Sequence, residues 1–308
     1  MRTQEEVQAM LVSAAGAGDV GGVRAAMAAG AEMDGRDGRG RLALTEAVRR
    51  GHLLVVEYLM DRGADAAAAS FKGSGVWDAE GPLMLAVIAK NEAMVRALLR
   101  YGAPQPTREE RAWTPLHEAA KTGNLSILRL LLGAGGAPDL PDERAETALH
   151  VALREGFDEG AAALLNAGAN PNLPNRDGEL PIRRAACAFD AKTARLLLAR
   201  GADPNQAPPR GALDHVTPWD AFCSLVLAMM SPAERRRLRP GDPTRREVYA
   251  MLRLLLQAGA DKDRVCPIGG NRAPWSERLA ALGDNRLNEI LGHTQPESRR
   301  QRLATHRI

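Results

Sequence analysis

Two groups of residues in the first half of the chain have types and spacings that could support chemistry. Residues 16–21, GAGDVG, match the GxGxxG pattern of dinucleotide-binding loops. That pattern needs a preceding strand, whereas helical sequence lies on both sides here, so we interpret these glycines as a turn between helices. His117 and His150 could bind a metal, but they are 33 residues apart and no third ligand keeps that spacing. We expect no metal site.

Further along the chain, Asp214, His215 and Ser224 are the residue types of a nucleophilic triad. No nucleophile elbow or other catalytic frame surrounds them. The three cysteines include no CxxC pair, so neither a disulfide framework nor a zinc site is indicated. We therefore expect no catalytic residues and no cofactor, and we predict that the protein is not an enzyme.

Composition limits the class of protein. Lys plus Arg total 41 against 38 for Asp plus Glu, and this balance is too even for a nucleic-acid or membrane partner of the whole molecule. Hydrophobic residues make up 45% but aromatic residues only 4%, which favours a core of Leu, Ala and Val between closely packed helices. No signal peptide or membrane span is recognisable. We expect a soluble cytoplasmic monomer, with the nucleus as an alternative location.

Leu-rich segments closed by glycine recur along the chain. Successive closing glycines are 33, 39, 33, 33, 33 and 58 residues apart. They are Gly30, Gly63, Gly102, Gly135, Gly168, Gly201 and Gly259. A period in this range indicates a solenoid, in which each repeat buries its apolar face against its neighbours.

Each repeat contains the pattern of two short helices. In residues 114–123, TPLHEAAKTG, Thr114 is the predicted N-cap and Pro115 the first helical residue, where its missing N–H costs nothing. Asn124 then opens a second helix. The predicted apolar face of that helix comprises Ile127, Leu128, Leu130, Leu131 and Leu132.

These residues resemble the ankyrin-repeat family, whose signature is T-P-L-H-x-A. TPLHEA at 114–119 matches it, and ETALHVA at 146–152 differs by one substitution. Looser matches are LPIRRAA at 180–186, TPWDAF at 217–222, LALTEAV at 42–48 and GPLMLAV at 81–87. The resemblance covers roughly residues 8–291. It implies an all-α ankyrin-repeat solenoid of about seven helix-pair repeats, with hairpin-like fingers, a concave groove and a C-terminal capping helix pair.

The domain prediction follows from this period. We expect a single array over residues 1–293 and a flexible basic tail over 294–308. Two insertions break the period, a long finger at 66–81 and an insertion at about 224–246. Insertions in such arrays map to exposed loops.

Function is predicted to be recognition of another protein through the concave groove and finger tips. The candidate positions are the finger tips and the two residues before the glycine that separates the two helices of a repeat (the mid-repeat glycine, such as Gly123). Trp77 on the long finger is the strongest candidate. They are Arg39, Arg41, Arg49, Arg50, Trp77, Glu80, Trp113, Lys121, Thr122, Arg144, Glu146, Arg154, Glu155, Arg176 and Glu179.

Two alternatives stay open. The basic insertion at 235–246 could bind nucleic acid or an acidic partner, although it lacks the interleaved aromatic residues of many nucleic-acid sites. The chain could also be the recognition part of a larger signalling protein. The scaffold is shared by binders of unrelated targets, so it identifies neither the partner nor the protein's wider role.

Overall fold

The structure is a computed structural model of the chain. It describes residues 3–68, 81–105, 113–207, 217–230, 245–265 and 273–292. These ranges contain sixteen α-helices, no strand, and one isolated antiparallel bridge between Val265 and Pro274. The predicted all-α class is confirmed.

The sixteen helices follow one another as eight pairs. The first five pairs are α1 (Gln4–Ala17) and α2 (Val20–Ala28), α3 (Ala43–Arg50) and α4 (Leu53–Met60), α5 (Pro82–Ile88) and α6 (Glu92–Arg100), α7 (Pro115–Lys121) and α8 (Leu125–Gly133), and α9 (Ala148–Arg154) and α10 (Asp158–Asn166). The last three pairs are α11 (Pro181–Cys187) and α12 (Ala191–Ala199), α13 (Pro218–Met230) and α14 (Arg245–Gln257), and α15 (Trp275–Ala280) and α16 (Asn285–Leu291). Seven pairs plus a C-terminal pair agree with the predicted repeat number.

Local sequence explains where these helices start and end. Thr114 caps α7 and accepts a hydrogen bond from the His117 backbone N–H, and Pro115 is the first helical residue. The Asn124 side chain caps α8 by accepting from the Ile127 N–H at 3.0 Å. All seven closing glycines named above have positive φ, the conformation that glycine adopts without steric cost.

The helix faces differ in one detail from expectation. Ile127, Leu128 and Leu131 of α8 are fully buried, but Leu130 and Leu132 are only half-buried. Successive residues are rotated by about 100° around an α-helix, so five residues within six positions cannot all lie on one face. The predicted apolar face was therefore too wide. Leu130 and Leu132 therefore flank the buried face rather than belonging to it.

Contacts group the chain into two compact units. The first contains the described residues of Met1–Glu143 and Thr147–Gly168, and the second those of Arg144–Glu146 and Ala169–Ile308. In the first unit the first helices pack in the order α1, α3, α5, α7, α9, and the second helices in the order α2, α4, α6, α8, α10. In the second unit α11, α13 and α15 pack in succession, as do α12, α14 and α16.

The second unit departs from the repeat motif at Asp220, which stands where the repeats at 114–119 and 146–152 have histidine. Its side chain is fully buried and accepts hydrogen bonds from the backbone N–H and Oγ1 of Thr217, at 3.2 and 2.8 Å. Arg264 Nε donates to the same carboxylate at 3.2 Å, and Trp275 Nε1 donates at 2.7 Å. One buried carboxylate thus joins α13 to the residues that precede and begin α15.

Candidate functional site

In the first unit, the residues just before the turn within each repeat form a row along the packed first helices. The C-terminal ends of α3, α5, α7 and α9, with the residues that cap them, contribute two residues each, and we call these eight the first-helix row. They are Arg49 and Arg50, Ile88 and Ala89, Lys121 and Thr122, and Arg154 and Glu155. All are exposed or half-buried. Because α3, α5, α7 and α9 pack successively, the row is one continuous surface.

The row begins with two guanidinium groups that share one carboxylate. Arg50 Nε lies 3.2 Å from Glu46 Oε1, and Arg49 Nε lies 3.9 Å from Glu46 Oε2. The Glu46 side chain is only 10% exposed, whereas Arg50 is 64% exposed. The negative charge therefore lies beneath the positive ones, and this end of the row presents net positive charge to solvent.

The GAGDVG segment has a structural role at this same place. A Cβ on Gly16 would lie 3.0 Å from Glu46 Cγ, and one on Gly18 would lie 2.6 Å from His52 Nδ1. His52 Nε2 is hydrogen-bonded to the Gly16 carbonyl at 3.0 Å. The glycines allow the second repeat to approach the end of α1, and helices flank them, so the dinucleotide-loop alternative does not fit this geometry.

The third repeat contributes a residue that the sequence prediction missed. Ile88 is 44% exposed, one of few large apolar side chains so exposed in the described residues, and it lies on α5 between α3 and α7. The prediction located these positions by the glycine that follows them, but in this repeat the turn residue is Lys90, with φ 53°. Aligning the repeat on GPLMLAV instead would have found Ile88.

The middle of the row combines an aromatic ring with a cation. Trp113 is half-buried, and its Nε1 donates to Glu118 Oε2 at 2.8 Å. Lys121 Nζ lies 5.6 Å from the Trp113 ring centroid and 4.0 Å from the same Glu118 oxygen. Thr122 Oγ1 donates to the Glu118 carbonyl at 2.9 Å. Trp113, Lys121 and Thr122 thus lie together around Glu118, whose carboxylate is more buried than the Lys121 side chain.

At the far end of the row the charges compensate each other. Arg154 Nε lies 3.3 Å from Glu155 Oε1, and both side chains are partly exposed. The sequence prediction treated them as separate contact residues. As an ion pair on the surface they contribute little net charge to a partner.

The first finger, the segment between α2 and α3, carries two further predicted cations of this unit, Arg39 and Arg41. Asp37 Oδ1 accepts from the backbone N–H groups of Arg39 and Arg41, and Arg41 is paired to Oδ2 at 2.7 Å. These hydrogen bonds and the Arg41 charge outweigh the opposing effect of burial and hold the pKa of Asp37 below its usual value. Arg39 is exposed at the tip.

In the second unit, two finger segments are joined through their backbones. The Arg176 N–H donates to the Arg144 carbonyl at 2.8 Å, and the Asn175 side chain accepts from the Glu179 N–H at 2.9 Å. Both arginine side chains are exposed, while Glu146 and Glu179 are half-buried. The four predicted finger residues of this unit therefore lie near one another.

The two motif histidines hydrogen-bond to the backbone within their own repeats. The Thr114 N–H donates to His117 Nδ1 at 3.1 Å, and the Thr147 N–H donates to His150 Nδ1 at 3.2 Å. Both imidazoles are buried. No group of three or more potential metal ligands occurs within the described ranges.

Several predicted features lie outside the described residues. They are Trp77, Glu80, Asp214, His215, most of the long finger at 66–81, residues 231–244 of the basic insertion, and the tail at 294–308. Ser224 is half-buried on α13. Among the helices that are described, none combines the length and the apolar character needed to cross a lipid bilayer.

Comparison with known proteins agrees with this architecture. The family model for ankyrin repeats (3 copies) matches residues 68–142 and 127–207, and the model for a single ankyrin repeat matches residues 39–70. A search of curated proteins finds no significant match. Among solved structures, an ankyrin repeat domain from Acinetobacter baumannii AYE is 28% identical, with a TM-score of 0.56. The match covers 62% of this chain and 97% of that one.

Motif, period, helix pairing and family models all agree. Ankyrin repeats are generally non-enzymatic modules for protein–protein interaction. The chain belongs to the ankyrin-repeat family.

Proposed function

We propose that the protein is a protein-interaction module that binds an acidic segment of another protein along the first-helix row. The observation that carries this proposal is the arrangement of charge and apolar surface along three successively packed first helices, α3, α5 and α7. Arg49 and Arg50 on α3 share a buried carboxylate, Ile88 lies on α5, and Lys121 on α7 lies beside Trp113.

The chemistry of the partner follows from this order. The cations on α3 and α7 favour carboxylates on the partner, and the exposed Ile88 on α5 between them favours an apolar side chain at the centre. Arginine and tryptophan are enriched among residues that dominate binding energy. The partner segment is therefore acidic with a central apolar residue.

The remaining candidates extend the same proposal. Arg39 and Arg41 on the first finger would add contacts beside the arginine end of the row, and Trp77 and Glu80 on the long finger stay candidates from the sequence. Arg154 and Glu155 would contribute shape and specificity rather than net charge. In the second unit, Arg144, Glu146, Arg176 and Glu179 would form a separate finger contact.

We further propose that the chain has no catalytic activity, needs no cofactor, acts as a monomer and works in the cytoplasm or nucleus. It would serve as a scaffold or as the recognition part of a larger signalling protein. Binding of nucleic acid or an acidic partner through the basic insertion at 235–246 remains the alternative. That alternative predicts a steep dependence of binding on salt concentration.

Peptide selection tests the proposed partner chemistry. A random peptide library is displayed on phage and selected against the wild type, and enriched peptides are measured as synthetic peptides by fluorescence anisotropy. We expect acidic peptides with a central apolar residue. Arg50→Glu should weaken their binding by about tenfold or more, because a like charge replaces an opposite one.

Two matched control variants locate the binding surface. Arg129→Glu reverses an exposed charge on the second helix α8, and Leu54→Ser removes an apolar side chain that is 73% exposed on α4. Neither should change the affinity, whereas Ile88→Ser should weaken it. Peptides without acidic residues, or equal losses from the controls, would show that the first-helix row is not the site.

A further inference from the structure

Helices α14 and α16 of the second unit border an open cavity of about 550 Å³. Three arginines line it, Arg245 and Arg246 from the start of α14 and Arg286 from the start of α16. Tyr249 and one carboxylate among the described residues, Asp284, also line it. The cavity is distant in sequence from the first-helix row, and the function proposed above does not use it.

The carboxylate in this cavity is already fully engaged. Asp284 Oδ1 accepts from the backbone N–H groups of Arg286 and Leu287, at 3.0 and 3.1 Å. Its Oδ2 accepts from the Tyr249 hydroxyl at 2.7 Å and lies 3.9 Å from a terminal nitrogen of Arg245. Asp284 therefore has little capacity left to pair with the other two arginines.

Two titration shifts agree with this arrangement. Desolvation alone would raise the pKa of Asp284, but the Tyr249 hydroxyl, the two backbone N–H groups and Arg245 together hold it below its usual value. Desolvation and the hydrogen bond to Asp284 raise the pKa of Tyr249. The phenol stays neutral and keeps donating to the carboxylate.

The other two guanidinium groups have no acidic partner among the described residues. Within the described ranges, neither Arg246 nor Arg286 has a carboxylate oxygen within 4.0 Å. Arg286 lies with its guanidinium carbon 5.4 Å from the Tyr249 ring centroid, and both arginines are exposed at the cavity. Among its described lining residues, the cavity thus holds three positive charges against one negative charge.

We propose that this cavity binds a phosphate group, carried either by a free small molecule or by a phosphorylated segment of a partner protein. A phosphate dianion matches the two uncompensated positive charges, whereas one carboxylate would neutralise only one of them. Its three free oxygens can also accept paired N–H donors from two planar guanidinium groups at once.

A titration of the full chain by NMR tests the proposal, with inorganic phosphate as the probe and sodium chloride at matched ionic strength as reference. Saturable shifts are expected at the backbone amides of Arg246, Tyr249 and Arg286. The double variant Arg246→Gln, Arg286→Gln should bind at least about tenfold more weakly, since charge-assisted hydrogen bonds to both side chains are lost.

A matched control is Arg253→Gln, which removes an exposed arginine from the same helix outside the cavity. It should bind phosphate like the wild type. Circular dichroism and an unchanged amide spectrum away from the cavity verify that the double variant is folded. Shifts no larger than those in chloride, or equal affinity of the double variant and the wild type, would overturn the proposal.

The source of the phosphate is decided by a second series of probes. A phosphoserine peptide that binds more tightly than inorganic phosphate indicates a phosphorylated protein segment, while equal affinity indicates a small phosphorylated molecule. The same peptide with serine or glutamate at that position should bind at least about tenfold more weakly. Equal binding of the glutamate peptide would refute recognition of phosphate.

Discussion

Replacing Asp220 by histidine should destabilise the second unit, although it restores the residue type that the ankyrin signature has at this position. A histidine here could accept the Thr217 N–H through Nδ1, as His117 does from Thr114. It could not replace the acceptors that the carboxylate offers to Arg264 and to the Trp275 indole. The expected loss therefore comes from those two donors.

The size of the loss can be worked from burial. Trp275 is fully buried, so an indole N–H without an acceptor should cost about 1–3 kcal/mol. The Arg264 side chain is 35% exposed and can turn to water, so losing its ion pair should add no more than about 1 kcal/mol. We expect Asp220→His to lower the free energy of unfolding by about 1–4 kcal/mol. Asp220→Asn, which retains one carbonyl oxygen, should cost less.

Urea unfolding followed by far-UV circular dichroism measures this loss. Hydrogen exchange of peptides covering residues 217–230 and 273–291 locates it. Asp177→His is the matched control, because Asp177 is an exposed aspartate of the same unit. If Asp220→His were as stable as the wild type, or if exchange increased only outside these peptides, the argument that this carboxylate joins α13 to α15 would be wrong.

Three further predictions concern the first unit. Leu131→Ala should lower the free energy of unfolding by about 2–5 kcal/mol because it opens a cavity, and half-buried Leu132→Ala should cost clearly less; equal losses in urea unfolding would contradict the assigned core face. Gly18→Ala should lower the stability more than Gly30→Ala. Both glycines have positive φ, but only at Gly18 would an added Cβ meet a neighbour within 4 Å. A similar shift in melting temperature for both variants would argue against tight packing of the second repeat on α1. The lowered pKa of Asp37 means that its stabilising effect is present above about pH 4 and is lost as the pH falls through the lower folded value. The difference in stability between wild type and Asp37→Asn should therefore shrink in acid, and a difference that is constant from pH 7 to pH 2 would exclude this linkage.

Much of the fold could be predicted from local sequence because each repeat encodes its own boundaries. Thr114, Pro115 and Asn124 act within three or four residues of chain, and caps and turn glycines need no distant partner. Repetition of this pattern at a regular spacing then implies stacking, since no single repeat can bury its apolar face alone. Family, class and repeat number followed from these features.

The candidate surface was only partly predictable. The rule that exposed positions precede a mid-repeat glycine located Arg49, Arg50 and Lys121, but it missed Ile88 because the turn after it uses Lys90. Sequence could not show that Glu46 lies beneath two arginines, so that the surface charge is positive rather than balanced.

By itself the sequence determined the ankyrin class, the helix pairs and most residues of the first-helix row, because short-range capping and a regular period specify them. Only the tertiary structure decided which polar and charged residues distant in sequence meet. The Asp220 network joins residues 44 and 55 positions apart, and the cavity beside Tyr249 brings together residues from α14 and α16. Such neighbours are set by how repeats pack, and no local pattern in the chain records which side chains then meet.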